Sequence, residues 1–407
     1  MSPPRWPLHP PPGPLEALSS WLARLAELYA LPPAELLTGN LGLVGLTVPH
    51  DLDRDPPAAM LAALAERTGV DLARIRATTL AGWRPWLLDT LDASDRQASF
   101  DNYVRAHSVL LAPRAGVGNA LSRYQLWRGP WLPRYRHHQT CPVCAGRPGR
   151  TRALFDRLPL MASCAEHGCR LEDAATVNIE MILHGKPPEP VPVAEPLGTL
   201  DRYTQQALLT GRVSLPGRDL HAGVWFRLLR TLLHEVSLSP GTVGRRDGGT
   251  LELVWETAGH PVRAGLKLWQ PYEYLAWPVQ KAMLRAAAVA VQLAAEGRIT
   301  ARGVLGPAIR PPTPGRVYNG DRPSPYRNVW RDLAHAARDT MNRARTDRAA
   351  ARQLLDLATT NRRTRDRYEV EVLILQRLGI PADFLPDAAE LDRLFAADHP
   401  VTAAGRR

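Results

Sequence analysis

Apolar residues recur at three- and four-residue spacing in several parts of the chain, and each such run predicts a helix. Leu18, Trp21, Leu22, Leu25 and Leu28 place a helix over 15–29, closed by Pro32-Pro33. Two shorter runs predict helices over 57–67 and 71–80, with Asp71 as an N-cap after the Gly69 turn. Further along, Trp225, Phe226, Leu229, Leu232 and Leu233 mark a core helix over 220–236, and a second apolar run marks another over 278–296. The last helices are expected over 327–359 and 368–378, and Leu251–Trp255 is the best strand candidate. The pattern predicts a mostly α, multi-domain protein with no fixed-period repeat.

Prolines punctuate these runs. Seven of them within residues 1–14 forbid helix and favour an extended arm lying on a domain surface. Five more within Pro187–Pro196 read as a linker, and Pro307–Pro314 forms a third cluster. The resulting division is an arm over 1–14, a domain over 15–180, a middle helical domain over 181–310 and a basic helical segment over 311–407.

Hydrophobic residues are 45% and charged residues 22% of 407, so the chain has enough apolar surface to fold, and wholesale disorder is excluded. No stretch reaches the roughly 18 consecutive apolar residues of a membrane span. The N-terminus opens on prolines instead of a basic segment feeding an apolar one. The expectation is a soluble, cytoplasmic protein. Lys and Arg number 51 against 40 Asp and Glu, a net charge of +11 that favours a polyanion such as DNA. Only Lys186, Lys267 and Lys281 are lysines; arginine's planar fork suits phosphate bidentately.

All four cysteines lie between Cys141 and Cys169, too clustered for a disulfide scaffold. Cys141-Pro142-Val143-Cys144 is followed after nineteen residues by Cys164-Ala165-Glu166-His167. A Cys-x2-Cys turn offers two thiolates to one ion, and the second pair closes a tetrahedron, which predicts a structural Cys3His zinc knuckle. Four protein ligands leave no position for substrate, which disfavours zinc catalysis, the reading in which the site keeps an open coordination position. Cys169 and the pair His137-His138 are alternatives for the fourth ligand, for which His167 is preferred. Arg134, Arg136, Arg147, Arg150 and Arg152 flank the knuckle, and Trp127, Trp131 and Tyr135 precede it. These aromatics either stack on nucleic acid or pack behind the zinc loops.

The pattern resembles the TniQ family, target-site-selection proteins of heteromeric transposition systems related to TnsD. The lead-in Leu15-Glu16-Ala17-Leu18-Ser19-Ser20-Trp21-Leu22 is similar to the family's proline-led N-terminal signature, with Ala17 where a small hydroxyl residue is usual. The helical pair ending at Thr79-Leu80 and the Cys-Pro-x-Cys…Cys-x-x-His motif complete the likeness, over about residues 8–175. The resemblance implies that the domain over 15–180 is TniQ-like and holds its zinc within 141–167. No cysteine follows Cys169, so one zinc is expected and not two. It further implies an adaptor, not an enzyme: a protein that binds DNA, recognises a target directly or through an RNA-guided CRISPR complex, and recruits an AAA+ ATPase of the TnsC/TniB kind with its transposase. A homodimer is compatible with it.

The residues agree that chemistry is absent, since there is no Walker-type phosphate loop and no segment that singles out a carboxylate triad. Asp51, Asp53 and Asp55 read as a solvated loop, and Gly241–Gly249 reads as a plain loop. Residues 59–80 are a helix-turn-helix candidate carrying Arg74 and Arg76 outward. In the last segment eight arginines, among them Arg343, Arg345, Arg348, Arg362, Arg363 and Arg365, face three aspartates over 341–367, a net of +5. That run either tracks a phosphate backbone or forms an exposed, internally ion-paired helix face. The rival to the adaptor is a stand-alone zinc-containing DNA-binding transcriptional regulator, separated from it by whether an ATPase associates.

Overall fold

In the computed structural model the described residues are 5–42, 51–83, 108–113, 115, 127, 129–134, 138–147, 151–216, 218–311, 341, 344–359 and 365–396. They fall into two compact units, Met1–Pro314 and Gly315–Arg407, and are mostly helical with a few short strands.

The first unit begins with the extended arm, whose prolines leave carbonyls that collect side-chain donors. Trp21 Nε1 donates to the Pro10 carbonyl at 2.8 Å, Arg24 to Pro11 at 2.9 Å and Arg74 to Pro12 at 2.7 Å. Beneath the arm lie α1 (Leu18–Leu28), α2 (Pro33–Asn40), α3 (Ala58–Thr68) and α4 (Leu72–Arg76). Their apolar faces meet in one cluster built on Trp6, Leu18, Trp21, Leu22, Leu25, Leu36, Met60, Leu64 and Ile75. Asp71 caps α4 as expected, accepting from the Ala73 and Arg74 amides. The helix stops at Arg76 instead of reaching residue 80. There Thr78 and Thr79 turn their hydroxyls back onto the Ile75 and Arg76 carbonyls, the local competition that makes threonine a poor helix interior residue.

Asp51 and Asp53 are not a solvated loop. Ala17, at the N-cap of α1, has no side chain able to cap, and Asp53 reaches across to take the Ser19 amide at 2.7 Å and the Ser19 hydroxyl at 2.8 Å. Asp51 grips Arg157 in a two-point pair at 2.6 and 2.7 Å. Burial opposes its charge, but Arg157's hydrogen bonds and charge prevail and hold its carboxyl below the ordinary aspartate value.

At the knuckle, β1 (Gln139–Thr140) leads into α5 (Pro142–Ala145) and β2 (Glu172–Asp173) into α6 (Ala174–His184), the two strands pairing antiparallel with Thr140 opposite Glu172. Next come α7 (Leu197–Thr210), a hairpin of β3 (Arg212–Leu215) and β4 (Arg218–His221) with Val213 opposite Leu220, then α8 (Ala222–Val236), α9 (Arg245–Thr257) and α10 (Trp277–Ala295). The strand expected at Leu251–Trp255 is helix α9. Leu251, Val254 and Trp255, at i, i+3 and i+4, are all buried, so the packing face and not local propensity decides the element. Nor is Gly241–Gly249 a plain loop: a 3-10 turn over Pro240–Thr242 leads into α9. A Cβ on Gly248 would stand 2.6 Å from the Pro240 carbonyl oxygen, so only glycine lets that turn lie against the helix.

The large core joins these later helices to earlier chain. Leu80, Val109, Leu110, Leu111, Trp131, Leu132, Phe155 and Leu160 share one buried cluster with Trp225, Phe226, Leu229, Trp255, Met283 and Val289. Buried charge pins the junctions. Glu235 accepts the successive amides of Val109, Leu110 and Leu111 at 3.0, 2.8 and 3.3 Å, and burial pushes its carboxyl up to about 7 against those three bonds. Glu273 pairs with Arg230 at 2.8 Å, both almost inaccessible, and accepts Trp127 Nε1 and the Trp131 amide at 3.0 Å each. Trp127 and Trp131 are therefore core residues, not stacking faces; Tyr135 lies outside the described residues.

The second unit contains α11 (Arg348–Thr359), α12 (Arg365–Arg377) and α13 (Ala388–Ala396). Leu354, Leu355, Tyr368, Val372, Leu375 and Leu391 are buried in it. Among the described residues no helix is long and apolar enough to cross a membrane.

Candidate metal centre

Cys141 sits at the N-cap of α5, where Pro142 supplies the preset φ of a first helical residue. Its Sγ accepts the Cys144 amide at 3.4 Å, so the turn itself aims two sulfurs at one point. The second half of the site is a tight loop in which the Cys164 amide donates to the Cys169 carbonyl at 2.8 Å and the Gly168 amide to the Cys164 carbonyl at 2.7 Å. The proline-rich stretch after α6 is part of the same construction. Arg170 donates its amide to Val191 and Val193 donates to Gly168, pairing that stretch with the knuckle loop. From below, Asp201 of α7 accepts the amides of Ala162 and Ser163 at 3.2 and 2.7 Å and the Ser163 hydroxyl at 2.5 Å, fixing the chain just before Cys164. Burial pushes the Asp201 carboxyl up to about 7.

These supports bring Cys141, Cys144, Cys164 and His167 together, with one donor atom from each lying within 4.8 Å of all the others. His167 presents Nδ1, which stands 3.6 Å from Cys141 Sγ and 3.4 Å from both Cys144 Sγ and Cys164 Sγ. Cys144 Sγ and Cys164 Sγ are 4.0 Å apart. A tetrahedron with zinc bond lengths has sulfur–sulfur edges of about 3.8 Å and sulfur–nitrogen edges of about 3.6 Å. The donor set therefore fits one metal ion of soft, tetrahedral preference. Without a cation, burial and the neighbouring Cys164 charge push the Cys144 thiol up to about 11, and Cys164 is raised by its hydrogen bond to Cys141 and by burial. Gathering thiols where their charges repel makes sense if a cation neutralises them.

Of the alternatives, His138 is exposed and is not among the four gathered donors, while His137 lies outside the described residues. Cys169 is buried, its Sγ 3.4 Å from Cys141 Sγ.

The arginines singled out for phosphate divide into three groups. Arg74, Arg147 and Arg365 are engaged within the protein: Arg74 by Pro12, Arg147 by Glu166 at 2.7 Å, Arg365 by Glu369 at 3.0 Å and Asp392 at 2.7 Å. Arg76, Arg152, Arg345 and Arg348 are exposed, Arg152 reaching the Ser19 hydroxyl at 3.4 Å and Arg345 the Leu378 carbonyl at 3.3 Å. Arg150, Arg343, Arg362 and Arg363 lie outside the described residues. Spacing rules could not find Asp201, Glu235 or Glu273, each a single acid whose partners lie far away in sequence.

In comparison with known proteins, residues 7–171 fit the family model described as TniQ. No curated protein and no solved structure matches the chain.

Proposed function

From the premise that residues 7–171 are a TniQ domain, we propose that the protein is a non-catalytic adaptor of DNA transposition that helps select the insertion site. It binds DNA and recruits an AAA+ ATPase, which in turn engages the transposase. The carrying observation is that the family match contains the whole Cys141, Cys144, Cys164 and His167 cluster. In this reading the cluster holds one structural zinc that sets the knuckle's shape, and four protein ligands fill the tetrahedron.

The net charge of +11 supports a polyanionic partner. Exposed Arg76, Arg152, Arg345 and Arg348 are the groups best placed to meet phosphate, whereas Arg74, Arg147 and Arg365 would first have to give up internal partners. The pair α3 and α4, with Arg76 at its end, is the helix-turn-helix candidate of this reading, and α4 is five residues long.

Affinity purification from native cells tests the role. The expected result is co-elution of an AAA+ ATPase, with an RNA-guided complex joining it if target choice is indirect. Recovery of DNA with no ATPase would replace the adaptor by a stand-alone regulator.

A further inference from the structure

Beside the four gathered donors a further thiol, that of Cys169, is buried with its Sγ 3.4 Å from Cys141 Sγ. We infer that Cys169 is a reserve ligand, able to replace His167 in the fourth coordination position.

Gly168 separates the two residues and has φ +61°, a left-handed conformation that an L side chain adopts only with strain. It belongs to the tight turn that joins His167, whose Nδ1 is one of the four gathered donors, to Cys169, whose sulfur lies against Cys141. Cys169 Sγ lies 3.4 Å from Cys141 Sγ, closer than the 3.6 Å of His167 Nδ1 to the same sulfur. That separation is within a few tenths of an ångström of a zinc–tetrathiolate edge. Cys169 packs inward with Cys141 and Leu171. The His167 ring reaches the surface, where Nε2 meets Arg147 at 2.8 Å and Glu166 at 3.6 Å.

With His167 bound, Cys169 is a thiol donating its S–H to the Cys141 sulfur. In the exchange the zinc–nitrogen bond breaks and a zinc–sulfur bond forms, and the Cys169 proton passes to the freed imidazole. The site then has one more negative charge, next to the Arg147 guanidinium. Zinc and cobalt both accept tetrathiolate coordination, so no other reactant is needed.

The inference rests on the zinc reading above and is tested with the full chain loaded with Co2+ as wild type, His167→Ala, Cys169→Ala and the double variant. His167→Ala should retain one cobalt per chain in tetrahedral coordination. Its thiolate-to-cobalt absorption should be about one-third stronger than wild type, because four thiolates replace three. Cys169→Ala should keep the wild-type spectrum, and the double variant should lose the metal. If His167→Ala loses cobalt as fully as the double variant, folded or not, Cys169 is no reserve ligand; retention with three-thiolate intensity overturns it as well. Failure of the wild type to take up cobalt would instead sink the zinc reading.

Discussion

The knuckle and the helical core of α7 to α10 are neighbours in one unit, yet they are held together by different means. The knuckle's own buried cluster is Cys141, Cys169 and Leu171, whereas the core buries Trp225, Phe226, Leu229, Trp255 and dozens of atoms around them. Burying a large apolar side chain contributes roughly 1.5–3 kcal/mol, and ordering one residue of backbone costs about 1–2 kcal/mol. Three such side chains cannot order a loop of roughly thirty residues by these terms alone. An ion held by the four gathered donors would, because its binding energy is folding energy. The core, with apolar surface to spare, can instead bury charges such as Glu273 and Arg230, which fix where earlier chain docks.

If the cluster holds zinc as proposed, the sharpest way to break this contrast is to remove it. Chelation or Cys141→Ser should forfeit coupling of about 10–16 kcal/mol at the knuckle. Hydrogen exchange should then become fast over 139–173 while α8 to α10 stay protected; simultaneous loss of both would show a single cooperative unit. A smaller effect on the other side comes from Glu273→Ala, which strands the buried Arg230 charge and takes acceptors from Trp127 and Trp131. Such losses cost about 3–5 kcal/mol. Denaturant midpoints should fall accordingly, and the cobalt spectrum of the knuckle should not change. The smallest effect, about 1 kcal/mol, is expected from Asp53→Ala, which uncaps α1 and touches neither region's core. A loss above about 3 kcal/mol there would mean that Asp53 also anchors Arg157, its second neighbour at 3.6 Å.

Periodicity located α1, α8, α10 and α12 because each has an apolar face that repeats with the helix. It misread α9, where a short run ending in Val254-Trp255 has strand-like composition and only tertiary contact with α8 and α10 makes it helical. The clustering of Cys141, Cys144, Cys164 and His167 was legible since a knuckle confines such residues to a short stretch with fixed spacing. Trp127 and Trp131 were not, because aromatic residues beside arginines look alike whether they stack on bases or fill a core; their acceptor, Glu273, is 142 residues or more away. Asp53 was hidden for the same reason: the Ser19 amide it accepts in capping α1 lies 34 residues earlier.

That separation matters most for residues 108–112. Three of their amides wait for Glu235, 126 residues beyond Val109, and Ser108 accepts from Val304, 196 residues further on. At ribosomal rates of about 5–20 residues per second, the last partner is synthesised roughly 10–40 s after Ser108. During that interval Val109, Leu110 and Leu111 have left the ribosome with their final burial site unmade. The bonds that close the finished core thus also set how long these three apolar residues wait, during synthesis, for the chain that buries them.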